Sequence, residues 1–187
     1  MVKMGALAVL LGRATAVLAL VFALFASAAS AQTFQTKAPF AILIDAESGT
    51  VLFENNAHDL MAPASMAKLM LVAYVFDSIA NDELSLDDEF VISENAWRKG
   101  GAVSGGSTMF AELNSRVSLG DLLRGVIIQS GNDAAIAIAE GLAGSELAFS
   151  ELLNDHADKL GLKDSTFRNA TGLPDPIQRV TAYDLAF

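Results

Sequence analysis

Two short groups of polar residues stand in apolar surroundings, where a polar side chain is costly unless something satisfies or uses it. The first is Ser65-Met66-Ala67-Lys68. Three residues apart on a helix, a serine and a lysine share one face, and the amine can reach the hydroxyl. A serine hydroxyl is a weak nucleophile until a base takes its proton. A lysine becomes that base only when its pKa falls, and burial among apolar groups lowers it. Met66, Ala67, Leu69 and Met70 offer such surroundings. A serine in the first turn also lies at the positive end of the helix dipole, which favours developing negative charge. The chemistry indicated is attack by Ser65, with Lys68 as base. The spacing alone is weak, because 15 serines and 6 lysines in 187 residues produce such a pair by chance about as often as not. A plain polar pair at a helix start has the same appearance.

The second group is Ser130-Gly131-Asn132, which breaks an otherwise helical stretch between Ile128 and Ala134. A hydroxyl there can pass a proton to a leaving amine. The Asn132 amide can hold a substrate carbonyl or orient a lysine. A simple turn with an asparagine cap has the same composition. Ser93-Glu94-Asn95 repeats the Ser-x-Asn form, but in a polar segment that reads as exposed. Ser130 joins two apolar helices and is the better placed of the two.

These groups need elements to hold them. Phe40–Ile44 and Thr50–Glu54 are β-rich runs separated by a turn cluster with Gly49, the pattern of a hairpin. A helix is expected from Pro63 to Ile79, apolar on nearly every face and therefore buried on all sides as the central helix. Asn81 to Val91 is acidic and loop-like with one short extended piece, and Gly100, Gly101, Gly105 and Gly106 mark a loop able to line a site. Ser118 followed by Asp121 predicts an N-cap for a helix to Gln129. Further helices are predicted over Asp133–Ala143, ending at Gly144, and over Glu146–Leu160, capped by Ser145 and ending at Gly161. No later run supplies further strands, and a lone hairpin is marginal in water.

Composition narrows the chemistry. There is no cysteine, so thiol nucleophiles, Cys-ligated zinc and iron–sulfur clusters are excluded, and stability must come from the core alone. Lys3 and Arg13 flank a basic start, Ala14 to Ala29 are small or apolar, and Ala29-Ser30-Ala31 suits a cleavage site, which together predict a secretory signal peptide over residues 1–31. A membrane anchor is the other reading, but the apolar run is short for a span. Removing residues 1–31, with two of the 12 Lys and Arg and none of the 22 Asp and Glu, takes the net charge from −10 to −12. Such a surface does not suit nucleic acid. His58 and His156 fit no catalytic triad and read as surface residues. Trp97 and Phe110 could border a cleft, though core packing suits them better. The acidic run Asp82–Glu89 lacks the spacing of a calcium loop and reads as a solvated face, so neither metal nor cofactor is expected.

Ser-x-x-Lys followed by Ser-x-Asn resembles the signature of penicillin-binding proteins and class A β-lactamases, and the closest resemblance is to the low-molecular-mass serine-type D-alanyl-D-alanine carboxypeptidases. It spans nearly all of residues 32–187. The opening hairpin Ile44–Leu52, the block Pro63–Met70, the block Ile127–Ala134, and the runs Phe167–Pro174 and Tyr183–Ala186 resemble that family in order. The resemblance implies an α/β DD-peptidase/β-lactamase-like fold, an antiparallel sheet plus a helical subdomain. It further implies an acyl-enzyme on Ser65, Lys68 as base, Ser130 as proton relay and Asn132 holding substrate. The substrate would be a peptidoglycan stem peptide, with β-lactam antibiotics as covalent inhibitors. Ala67 stands where the family commonly has threonine. No Lys-Thr-Gly occurs, and the apolar run to Phe187 carries no stop signal. The expectation is therefore a catalytic domain incomplete at its C-terminus and inactive by itself, with any peripheral membrane association through a segment beyond Phe187. The alternatives are a class A β-lactamase, disfavoured by Gly131, and a non-catalytic penicillin-sensing or peptidoglycan-binding module.

Overall fold

The computed structural model describes residues 34–187, and residues 37–187 pack as one unit. The predicted signal peptide lies outside the described residues. The hairpin forms as expected: β1 (Ala41–Ile44) and β2 (Val51–Asn55) pair antiparallel, with an irregularity between Leu43 and Ile44. Asp45 shapes the turn by accepting from the Ser48 amide at 2.8 Å and the Ser48 hydroxyl at 2.6 Å.

Next come a 3₁₀ turn (Ala64–Ala67) and helix α1 (Lys68–Ala80). After them β3 (Glu89–Val91), the short extended piece expected within Asn81–Val91, pairs with β4 (Arg116–Ser118), which was not expected, to make a second antiparallel ribbon. Its strands have three residues each, too few for a hydrophobic period to show. The helical block follows the predicted boundaries closely. Helix α2 spans Leu119–Gln129, with the Ser118 hydroxyl accepting from the Asp121 amide at 3.2 Å. Helix α3 spans Asn132–Ala143 and ends on left-handed Gly144, and α4 spans Glu146–Leu160, capped by Ser145 and closed by Gly161. Helix α5 (Ala182–Ala186) rests against β1 and is capped by the Thr181 hydroxyl.

The central helix is α3, not α1 as expected. Ala134 to Ala139 are all fully buried, and α3 touches α2, α4, β3 and the turn Ala96–Gly100. Its small side chains allow this crowding: a Cβ on Gly141 would stand 1.9 Å from the Phe90 ring. Helix α1 buries Met70, Leu71 and Val75, but Leu69 and Phe76 are about half exposed, as is Met66 in the preceding turn. The expected all-round burial of this helix does not occur among the described residues. Apolar residues on every side of a helix make burial possible, but neighbours on every side are needed to realise it.

Two isolated bridges then decide where the site lies. Met61 pairs with Val180, and Thr166 pairs with Arg179. They tie the segment between them to the entrance of the Ala64–Ala67 turn, so residues far apart in sequence meet beside Lys68.

Candidate active site

Ser65 is exposed, and Lys68 one turn later is 4 % exposed. The lysine Nζ lies 3.3 Å from Ser65 Oγ, 2.8 Å from Asn132 Oδ1 and 2.7 Å from the Thr171 carbonyl oxygen. An ammonium has three donors, and these three acceptors use them all. Burial, the cause of the shift, lowers the Lys68 pKa from 10.5 to about 8. Loss of one proton has a directional consequence. The Asn132 and Thr171 oxygens can only accept, so a neutral amine keeps its two N–H groups on them. Its lone pair then faces Ser65, the one partner with a proton to give.

The backbone before Ser65 is bent sharply. Ala64 has φ +48°, a left-handed conformation that costs a residue with a Cβ. Gly172, at φ +81°, closes against it: a Cβ there would lie 1.7 Å from the Ala64 carbonyl oxygen. That contact and the Lys68–Thr171 bond lock the turn that carries Ser65 onto the segment after α4.

Asn132 is buried at the start of α3, and its backbone N–H donates to the Ser107 carbonyl at 2.8 Å. Asp133 is fully buried and accepts from the Thr108 hydroxyl (2.6 Å) and from the amides of Met109 (2.9 Å) and Ala111 (3.2 Å). The segment after the glycine-marked loop is thus fastened to Asn132, which meets Lys68, and to its neighbour Asp133. A cavity of about 560 Å³ opens in front, lined by residues including Ser65, Asn132, Thr171, Leu173, Asp175 and Arg179.

Ser65, Lys68 and Asn132, picked from residue type and spacing, meet in one hydrogen-bonded cluster. Ser130 is half-buried and left-handed (φ +55°) at the end of α2, two residues from Asn132, and is not part of the cavity lining. Ser93 is occupied elsewhere, donating to Glu140 at 2.5 Å and accepting from the Ala96 amide. His156, expected at the surface, is buried edge-on to Tyr74, because it faces inward on an otherwise acidic helix. His58 is exposed and stacks on Tyr183. Trp97 packs against the core, but Phe110 is 73 % exposed, contrary to the core packing expected of it. Thr171 and Gly172 were missed as site residues. They lie in the family-like run Phe167–Pro174, but a backbone carbonyl has no signature in residue type. Among the described residues no group of His, Asp and Glu is arranged to hold a metal ion.

The sequence profile of the D-alanyl-D-alanine carboxypeptidase family matches residues 26–187. The chain belongs to this family. It is 44 % identical to D-alanyl-D-alanine carboxypeptidase DacC of Escherichia coli over 78 % of this chain and 36 % of that protein. In three dimensions it is similar to D-alanyl-D-alanine carboxypeptidase DacD of Francisella tularensis, with a TM-score of 0.76 and 37 % identity over 82 % of this chain and 36 % of that one. Penicillin binding protein 5 of Haemophilus influenzae gives a TM-score of 0.76 and 37 % identity, over 82 % of this chain and 44 % of that one. The chain thus spans a little over a third of the curated relative it matches. The expected α/β DD-peptidase fold agrees with these likenesses, over the part of the fold that the chain covers.

Proposed function

We propose that this chain carries the nucleophile half of a serine-type D-alanyl-D-alanine carboxypeptidase, one that removes the terminal D-alanine from peptidoglycan stem peptides. The observation that carries the reading is the buried Lys68 amine, held by Asn132 and the Thr171 carbonyl so that its third direction is Ser65. Ser65 attacks the carbonyl between the two D-alanines as Lys68 takes its proton, and an ester to Ser65 replaces the peptide bond. The positive end of α1 lies beside the developing oxyanion. Asn132 uses Oδ1 on Lys68, which leaves its NH₂ group to hold a substrate carbonyl. Ser130 passes a proton to the departing D-alanine amine. Water then cleaves the ester and restores Ser65.

β-Lactams would acylate the same serine. The substrate lies in the cell envelope, so the protein acts after export, with residues 1–31 as the removed signal and residues 32–187 as the opening part of the catalytic domain. The test is labelling of the full-length protein with a fluorescent penicillin, alongside release of D-alanine from a pentapeptide. Covalent label that disappears in Ser65→Ala, together with D-alanine release, supports the reading. Label that persists in Ser65→Ala overturns the assignment of Ser65, and label without any release favours a penicillin-sensing module.

A further inference from the structure

The segment that meets Lys68 from the far side has no regular secondary structure, yet its backbone is tied at almost every residue by side-chain amides, those of Asn169 and Gln178 buried and that of Asn154 half-buried. Asn154 on α4 clamps Phe167 from both sides: its Oδ1 accepts from the Phe167 amide at 2.8 Å, and its Nδ2 donates to the Phe167 carbonyl at 2.8 Å. Gln178, 1 % exposed, accepts from the amides of Arg168 (2.9 Å) and Asn169 (3.1 Å). Asn169, also buried, is the hub. Its Oδ1 accepts from the Thr171 amide (3.2 Å), the Thr171 hydroxyl (3.1 Å) and the Gly172 amide (2.8 Å), and its Nδ2 donates to the Leu173 carbonyl at 3.0 Å. Together these bonds fix both peptide planes around Thr171, and the orientation of its carbonyl follows from them.

That carbonyl makes the shortest of the three contacts to Lys68 Nζ. We infer that Asn169 is a positioning residue for the Ser65–Lys68 pair: by orienting the Thr171 carbonyl it sets both where the Lys68 lone pair points and how readily the amine holds its proton. The inference rests on the proposed role of Lys68 as base. A carbonyl dipole aimed at an amine favours the ammonium, which opposes the effect of burial. Removing the orienting bonds withdraws that support and frees one N–H to rotate, so the lone pair no longer has one direction.

The charged groups nearby are few. Asp133, next to Asn132, spends its carboxylate on the 108–111 segment, and Asp175 and Arg179 stand in the cavity wall. None of them forms an ion pair with Lys68. Uncharged neighbours therefore govern the proton on this amine, and among them the Thr171 carbonyl is the one whose two flanking peptide amides are both held by one side chain, that of Asn169.

Two readouts test this in the full-length protein. The first is the titration midpoint of the Lys68 side chain, followed by NMR in lysine-labelled protein and assigned with Lys68→Met. The second is the pH profile of penicillin acylation. Asn169→Ala is expected to lower the midpoint and to slow acylation roughly tenfold or more. Asn169→Asp keeps the accepting oxygen and is expected to hold the midpoint at or above that of the parent, with acylation recovered relative to alanine. A midpoint that is unchanged or raised in Asn169→Ala overturns the inference and leaves Asn169 a role in stability alone. If the alanine variant does not fold, a lowered midpoint in Asn169→Asp overturns it, and a held one supports it. Because the midpoint is read without turnover, a parent protein that never acylates removes the proposed function while this test still stands.

Discussion

The Lys68 amine reports its own environment through pH. With a pKa of about 8, roughly a tenth of it is neutral at pH 7, and the neutral form is the one able to accept from Ser65. Acylation of the full-length protein should therefore rise with pH along a limb centred near 8 and then level off. Stopped-flow kinetics with a chromogenic β-lactam measures this, and a flat profile from pH 6 to 9 would show that Lys68 is not the base. Stability carries the same signature with a definite sign. Between about 8 and 10.5 the unfolded chain binds a proton at Lys68 that the folded chain has released, so unfolding free energy rises with pH across that window. Chemical denaturation at pH 8 and pH 10 should show this increment in the parent and not in Lys68→Met. At this scale the sequence was informative where chemistry resides in side-chain type. Ser65, Lys68 and Asn132, singled out by type and spacing, fall in one hydrogen-bonded cluster, whereas the Thr171 carbonyl, which every residue type possesses, gave no signal.

Among the elements, the turn before α1 depends most on a distant partner. Gly172→Ala would force a methyl group onto the Ala64 carbonyl at a φ that alanine adopts at a cost. The expected result is a loss of about 2 kcal/mol or more with a larger proportional loss of acylation, because the displaced backbone is the one that carries Ser65. Thermal unfolding read beside fluorescent penicillin labelling separates the two effects. Asn154→Ala should act more weakly on labelling and mainly on stability, since it frees both polar groups of Phe167, one step removed from Lys68. Helix ends were legible because caps are local: Ser118, Ser145, Gly144 and Gly161 each stop or start a helix by their own backbone preference or hydroxyl. Burial was less so, because it depends on neighbours from elsewhere in the chain. The exposed side of α1, the inward-facing His156 and the outward-facing Phe110 are three instances of that one difficulty.

For the whole molecule, burial among the described residues is most complete on α3 and the elements around it. Ile136 and Phe149 are fully buried there, on α3 and α4. Ile136→Ala should cost about 2–5 kcal/mol and Phe149→Ala about 3–5 kcal/mol, seen as lower denaturation midpoints with the Lys68 midpoint unmoved in the surviving folded protein. No helix among the described residues is long and apolar enough to cross a membrane. One feature of the cluster bears on how the chain comes to fold. The three partners of Lys68 lie 3, 64 and 103 residues from it along the chain. Contacts of such high contact order are slow to close, because the intervening loop must first give up its entropy. Until Asn132 and Thr171 arrive, the amine is hydrated, keeps its proton and leaves the hydroxyl of Ser65 no more reactive than that of any surface serine. On the proposed mechanism a nascent or half-folded chain is chemically silent, and covalent capture of the full-length protein by a β-lactam would serve as a clock for the final step of assembly.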